Sequence, residues 1–355
     1  MNQKLVETLR QVGKPCHVHQ TADGTELLIL PYGGRVLGLF APGSDENFYW
    51  THPALESAAA AAEFYASDAW HNSGGDRTWL APEVDFFFPN YPRTDVYWQP
   101  RQLDPGQWQV TAAEGELRWV NRLTCRLSRS KTDVEMEIAK TVGPAPNPLL
   151  HEPGLACLDR VLYAGYTLRT SLELIGSESR QSGPVGLWNL VQMPHAGEML
   201  IPTYGRTAPR VFFGTVSPED LRVEDHLVRY RMRAPGEQKI AIRAIAATGR
   251  IGYRYPAGAD RWSLVVRNVL VNPSGLYADP PWSDPQDLGY AIQACNVHSG
   301  LGSFSELEYH VPAIGAGTGI ARCEDVAQTW AFSGARAEID QILGCLLTPE
   351  RTRSA

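Results

Sequence analysis

The feature that most constrains this chain is a long succession of short apolar runs, each closed by turn residues. From residue 26 onward, segments rich in Val, Ile, Leu, Tyr and Trp follow one another with Gly, Pro, Asn or Asp between them. The pattern predicts strands over 26–30, 35–40, 48–51, 108–112, 116–127, 133–142, 167–175, 186–192, 199–203 and 210–213. It predicts more over 227–233, 239–246, 251–255, 262–271, 291–296, 303–310 and 328–332. In 133–138, Val134, Met136 and Ile138 alternate with acids, as in a sheet wet on one side. Leu264-Val265-Val266 and Val269-Leu270-Val271 are apolar at every position and suit a sheet covered on both faces.

Only three segments have helical character. Leu5, Val6, Leu9 and Val12 make a stripe in 1–13, the alanine-rich stretch 53–67 is a second, and Ile339, Ile342, Leu343 and Leu346 make a stripe in 335–347. Three helices cannot alternate with so many strands, so a βαβ fold is excluded and a large antiparallel β-sandwich is expected. No fixed-period repeat is visible, which disfavours a propeller. With no low-complexity linker, and with the Pro-rich stretch 143–148 read as a crossover, the expectation is one domain over 1–355 with a frayed tail at 348–355.

Charge and cysteines narrow the partners. Against 39 acidic residues stand 32 basic ones, a net charge of -7, without a run of Lys or Arg. Nucleic acid and anionic membrane are poor fits, and a neutral small ligand suits the surface better. No segment has the roughly 20 uninterrupted apolar residues of a membrane span, and the opening helix lacks the form of a secretory signal. A cytoplasmic protein is expected. The six cysteines, Cys16, Cys125, Cys157, Cys295, Cys323 and Cys345, form no C-x-x-C pair, so buried thiols are expected, with oxidation of Cys295 and Cys323 the alternative should the chain be exported. His17 and His19 alone make too small a ligand set for a metal, and the Gly-rich run 315–319 lacks the Lys of a phosphate loop. Neither metal nor cofactor is expected, and the oligomeric state is left open.

Two clusters carry candidate chemistry. Gly74-Gly75 frees the backbone for a turn, after which Arg77, Trp79 and Glu83 follow closely, with His71 just before. A guanidinium, an indole and a carboxylate suit a pyranose, whose hydroxyls want charged partners and whose C–H faces want an aromatic plate. The other reading is a structural Arg–Glu pair beside a core tryptophan. Late in the chain, Glu306, Glu308 and His310 share one face of a strand, while Leu307, Tyr309 and Val311 share the other. Two neighbouring carboxylates on a buried face push at least one pKa up toward the range of proton transfer. On an exposed face they are ordinary surface charge.

Three runs join these clusters: Gly74 to Glu83 (GGDRTWLAPE), Gly186 to Gly205 (GLWNLVQMPHAGEMLIPTYG) and Phe304 to Ile314 (FSELEYHVPAI). In this order they resemble uncharacterised branches of the aldose 1-epimerase, or galactose mutarotase-like, superfamily. The resemblance implies a supersandwich with a sugar site on the concave face of one sheet. It also implies a carboxylate that takes the anomeric proton and an acid that protonates the ring oxygen. By that resemblance Glu308 or Glu306 is the carboxylate, Glu308 ranked first, and Arg77 stands beside the sugar. The superfamily's mid-chain His has no counterpart, since Gly186-Leu187-Trp188-Asn189 occupies the comparable region. His298 is the best replacement, because Asn296 and His298 face one way at the end of a strand expected to adjoin that of Glu308; His71 and His195 are the others. Trp188 and Gln192, four apart on one strand face, are expected to supply a stacking plate and an amide donor. Competing readings are a sugar-binding module, a lyase or hydrolase acting on an oligosaccharide, and a ligand-free scaffold.

Overall fold

The computed structural model describes residues 2–113, 116–152 and 158–348. Two antiparallel sheets carry the fold. The first has nine strands in the order His17–Gln20, Glu26–Leu30, Arg35–Phe40, Asp76–Ala81, Gly186–Pro194, Gly302–His310, Tyr290–Ser299, Gly236–Arg243 and Arg210–Phe213. The second has ten, in the order Leu221–Val223, Leu227–Arg231, Glu198–Pro202, Arg250–Pro256, Arg261–Asn268, Arg322–Ala335, Leu162–Leu174, Asp133–Pro144, Glu116–Arg126 and Gln109–Ala113. The fold is all-β, a sandwich with few short helices. Cys157 and the tail from 349 lie outside the described residues, and no helix among those described is long and apolar enough to cross a membrane.

Strand alternation builds the core between the sheets. Ile292, Ala294, Leu307 and Tyr309 of the first sheet meet Ile138, Leu168, Val265 and Ala331 of the second in one apolar cluster. Leu264 and Val266 face the other way, where the helix Arg336–Leu347 covers them with Ile339, Ile342 and Leu343. The all-apolar run 264–266 is thereby explained. The run 269–271 is not a strand, because the chain leaves the sheet at Asn268 and Leu270 is exposed.

The interior also holds charge. Asp76 Oδ2 accepts from Arg267 Nη2 at 3.0 Å and from Tyr166 Oη at 2.7 Å, and Tyr309 Oη donates to Asp325 at 2.6 Å. These bonds cross from sheet to sheet and pin Asp76 inward. Because neighbours on a strand point oppositely, Arg77 is turned to the outer face of the nine-stranded sheet.

Several local expectations shift by context. Residues 48–51 bend instead of forming a strand, with Trp50 N bonded to the Gln192 carbonyl. His17–Gln20 and Asp76–Ala81 are strands that periodicity left unassigned, and 53–67 divides into a 3-10 turn, Pro53–Glu56, and a helix, Ala58–Ala66. Gly74 and Gly75 enter Asp76–Ala81 with φ of +101° and +73°. A Cβ on either would lie 2.3 Å from the Trp50 oxygen or 2.4 Å from the Val36 oxygen. The glycine pair is therefore a requirement of close backbone approach as well as of φ.

Candidate functional site

Five adjacent strands of the nine-stranded sheet supply the floor of one cavity. Register fixes which side chains reach it. Cys295 pairs with Glu306, Glu306 with Gln192, and Lys239 with Cys295, so these residues share a face; Arg77 opposes Leu190, and Trp79 opposes Trp188, on that same face. Segments before and after the strands wall the floor in, placing Trp70, Phe88, Tyr97 and Trp282 around it. The cavity measures about 410 Å³, within the range of roughly 300–1,000 Å³ typical of small-molecule sites.

The floor is a chain of buried ion pairs. Arg77 Nη2 lies 2.8 Å from Glu306 Oε1, which also accepts from Gln192 Nε2 at 3.0 Å. Glu306 Oε2 is left to the cavity, and Arg77 Nε and Nη1 are buried without a hydrogen-bond partner. Lys239 Nζ sits 3.1 Å from Glu308 Oε2 and 3.9 Å from Glu83 Oε2. Trp188 Nε1 donates to the same Glu308 oxygen at 2.8 Å, leaving buried Oε1 unpaired.

Burial and charge set the protonation of this floor. Burial pushes the Glu308 carboxyl up to about 7 against the opposing pull of Lys239, and Glu306 adds to the rise. Burial likewise raises Glu83 and Asp279. For Lys239, burial acts downward, but Glu308, Glu83 and Asp279 outweigh it and keep the ammonium charged.

The residues expected from sequence divide into three groups. Arg77, Trp79, Glu83, Trp188 and Glu306 line the cavity together. Glu308 and Gln192 lie beneath its floor, fully buried and bonded to Trp188, Lys239 and Glu306. His71, Asn296 and His298 are elsewhere. His71 packs among Tyr32, Phe64 and Tyr65 and bonds to Tyr32. Asn296 and His298 belong to the strand beside Glu308 but pair with Ser305 and Ser303, so they project from the opposite face. There Asn296 binds His195 and the Ala234 carbonyl, and exposed His298 stacks on His195.

The aromatic roles change as well. Arg77 stands over the Trp79 ring at 4.1 Å and Lys239 over the Trp188 ring at 4.3 Å, so each of these indoles supports an internal cation. The half-buried rings of Trp70 and Trp282 also line the cavity, Trp70 with Arg77 5.4 Å from its ring centre and Trp282 with Phe213 stacked on one face. Sequence reasoning passed over them, and over Tyr97, because their positions depend on loop closure: Tyr97 Oη and Trp282 Nε1 each donate to Glu83 at 2.7 Å. Lys239 did leave a signal, as a lone cation heading the apolar strand run Lys239-Ile240-Ala241-Ile242.

Cys295 Sγ and carboxylate oxygens of Glu306 and Glu308 lie within 4.8 Å of one another, the spacing of a metal site. The donor chemistry opposes that use. Arg77 and Lys239 already neutralise the two carboxylates, and burial, reinforced by Glu306 and Glu308, holds the thiol well above its ordinary range.

Comparison with known proteins places the chain. A family described as "Family of unknown function (DUF6786)" matches residues 3–350. The chain belongs to that family. No curated protein matches this DUF6786 chain. Solved structures similar to it include a galactose mutarotase related enzyme from Lactobacillus acidophilus, 8% identical, covering 89% of this chain and 97% of its own, with a TM-score of 0.45. A GalM/aldose epimerase homologue from C. elegans is 9% identical over 91% of this chain and 99% of its own, with a TM-score of 0.43. A galactose 1-epimerase from Lactobacillus acidophilus NCFM is 10% identical over 90% and 94%, with a TM-score of 0.39.

Proposed function

We propose that this DUF6786 chain binds the hydroxylated ring of a free sugar in the 410 Å³ cavity and interconverts its anomers. The observation that carries the reading is the pairing of an open carboxylate with a held ammonium on one floor. Glu306 is anchored through Oε1 by Arg77 and Gln192 and offers Oε2, while Lys239 is held from behind by Glu308. Glu306, which lines the cavity, is preferred as base over buried Glu308, whose role is to keep Lys239 charged and in place.

Glu306 takes the proton of the anomeric hydroxyl as the C1–ring oxygen bond breaks, and the Lys239 ammonium, kept charged, stabilises the departing ring oxygen by a charged hydrogen bond while solvent water supplies its proton. Rotation about C1–C2 presents the other carbonyl face. Reclosure returns one proton from Glu306 to the anomeric oxygen and one from the ring hydroxyl to solvent, so no net charge is transferred. Such assistance contributes roughly 100- to 10,000-fold per group, suited to a reaction that already proceeds in water. Trp70 and Trp282 supply plates for the ring's C–H faces.

The test is anomer exchange by NMR saturation transfer over a panel of aldoses and uronic acids. Accelerated exchange that falls to the solvent rate in Glu306→Gln is the expected result. Tight sugar binding without acceleration identifies a binding module, and absence of both rejects the carbohydrate reading.

A further inference from the structure

The cavity is chemically graded along one direction. On the shared face of Tyr290–Ser299 and Gly302–His310, successive cross-strand pairs run Gln293 with Glu308, Cys295 with Glu306, then Val297 with Phe304. Each step along a strand face advances about 7 Å. Glu308, beneath the floor, lies two such steps from Phe304, some 14 Å by the same geometry, while Glu306 and Lys239, both in register with Cys295, lie about one step from it.

The far end is built as an apolar surface of its own. Cys295, Val297 and Phe304 form a small cluster, joined by Trp50 and Phe213, that is separate from the core between the sheets. Phe213 stacks on Trp282 at 4.7 Å, and Trp50 packs on Phe304 at 4.8 Å. Leu301, in the turn beyond, lines the same cavity while 48% exposed. A bare pyranose seated on Glu306 and Lys239 covers about one strand step, so its far edge reaches this end and turns hydroxyls onto carbon, where they find no hydrogen-bond partner.

We infer that the ligand is amphipathic: a sugar whose anomeric end meets Glu306 and Lys239 and whose opposite end carries an apolar substituent lying over Phe304, Val297 and Leu301. This rests on the sugar reading above and adds the class of sugar. The continuity of one cavity across both ends is what ties the apolar surface to the ligand and not to a separate partner. The substituent sits away from C1, because the anomeric hydroxyl must stay free for ring opening.

The probes are D-glucose, D-galactose and their 6-O-octanoyl derivatives, all with a free anomeric centre, titrated by calorimetry below micelle-forming concentrations and followed for anomer exchange. The acylated sugars are expected to bind at least tenfold tighter than their parents. Leu301→Glu at the exposed rim, and Val297→Thr as a milder second variant, are expected to reduce that ratio below threefold. Equal affinity of acylated and parent sugars, or exclusion of the acylated ones, overturns the inference; acceleration of the parents' exchange would then leave the sugar reading standing. A ratio unchanged in both variants overturns it too. Failure of every probe to bind overturns the inference together with the sugar reading.

Discussion

Arg77 and Glu306 stand 229 positions apart in the chain and 2.8 Å apart in the fold, both buried. Removing one partner of such a pair leaves an unpaired charge and costs roughly 3–5 kcal/mol, whereas removing both costs far less. Arg77→Met and Glu306→Met are each expected to lower stability in urea unfolding, and Arg77→Met/Glu306→Met to regain most of that loss without regaining sugar binding. Additive losses in the double variant would show that the contact carries no coupling.

Glu308 gives the protein a recognisable pH signature. Its carboxyl ionises near 7 in the folded state and from about 4.5 unfolded, so between these values the folded chain holds the extra proton. Stability from this group is present at low pH and is lost as pH rises through about 7, by on the order of 3 kcal/mol at most. Asp325, raised to about 6 by burial, acts in the same sense. Glu308→Gln is expected to flatten the fall in unfolding free energy between pH 5 and pH 8; an unchanged slope would refute the assignment.

Lys239 pulls the Glu308 carboxyl downward, so its loss has a signed effect. In Lys239→Met the Glu308 titration is expected to move to higher pH by roughly a unit or more, with anomer exchange falling at every pH. Carboxyl-carbon NMR of labelled glutamate follows the first effect separately from the second. Movement to lower pH would mean that the ammonium does not face Glu308.

How much of this was legible follows from which contacts are local. Alternation put Glu306 and Glu308 on one face of a strand, and Arg77 with Trp79 on one face of the segment after Gly74-Gly75, because a period of two needs no tertiary information. The opposite orientation of His298 was legible in principle. Ser299 pairs with Gly302 across a two-residue turn, and counting back from it sets Cys295 against Glu306 and leaves Asn296 and His298 facing away. Trp70, Tyr97 and Trp282 were not legible, since loop closure onto Glu83 and Asp104 positions them. That Glu306 lines the cavity while Glu308 lies beneath it was equally hidden, because only packing decides which of two like side chains is covered.

Asp104 is the device that holds two of the cavity's indoles. Its Oδ2 accepts from Trp70 Nε1 and Trp79 Nε1, each at 3.0 Å, and from Arg35 Nη2 at 2.7 Å. The side chain does not line the cavity, so its part is positioning. Asp104→Asn keeps one acceptor oxygen but removes the charge facing buried Arg35. Sugar affinity is expected to fall severalfold and the near-UV tryptophan dichroism to change, while the exchange rate at saturation stays close to that of the parent. Loss of the saturated rate with affinity intact would contradict a positioning role.

The register that aims Arg77 into the cavity depends on its neighbour. Asp76 points inward to Arg267 and Tyr166, and Tyr166 continues to Tyr49 at 2.8 Å, so the strand is tied to the second sheet by charge as well as by apolar contact. Arg267 and Asp76 have no solvent exposure, and the guanidinium also lies over the Tyr309 ring at 4.8 Å. Arg267→Met keeps the length of the side chain and strands the Asp76 charge, for an expected loss of roughly 3–5 kcal/mol in urea unfolding. Adding Asp76→Asn should recover part of it, because the amide oxygen still accepts from Tyr166. If the single variant unfolds like the parent, the sheets are joined by hydrophobic burial alone, and the alternation that sends Arg77 outward must be fixed by the glycine turn before it.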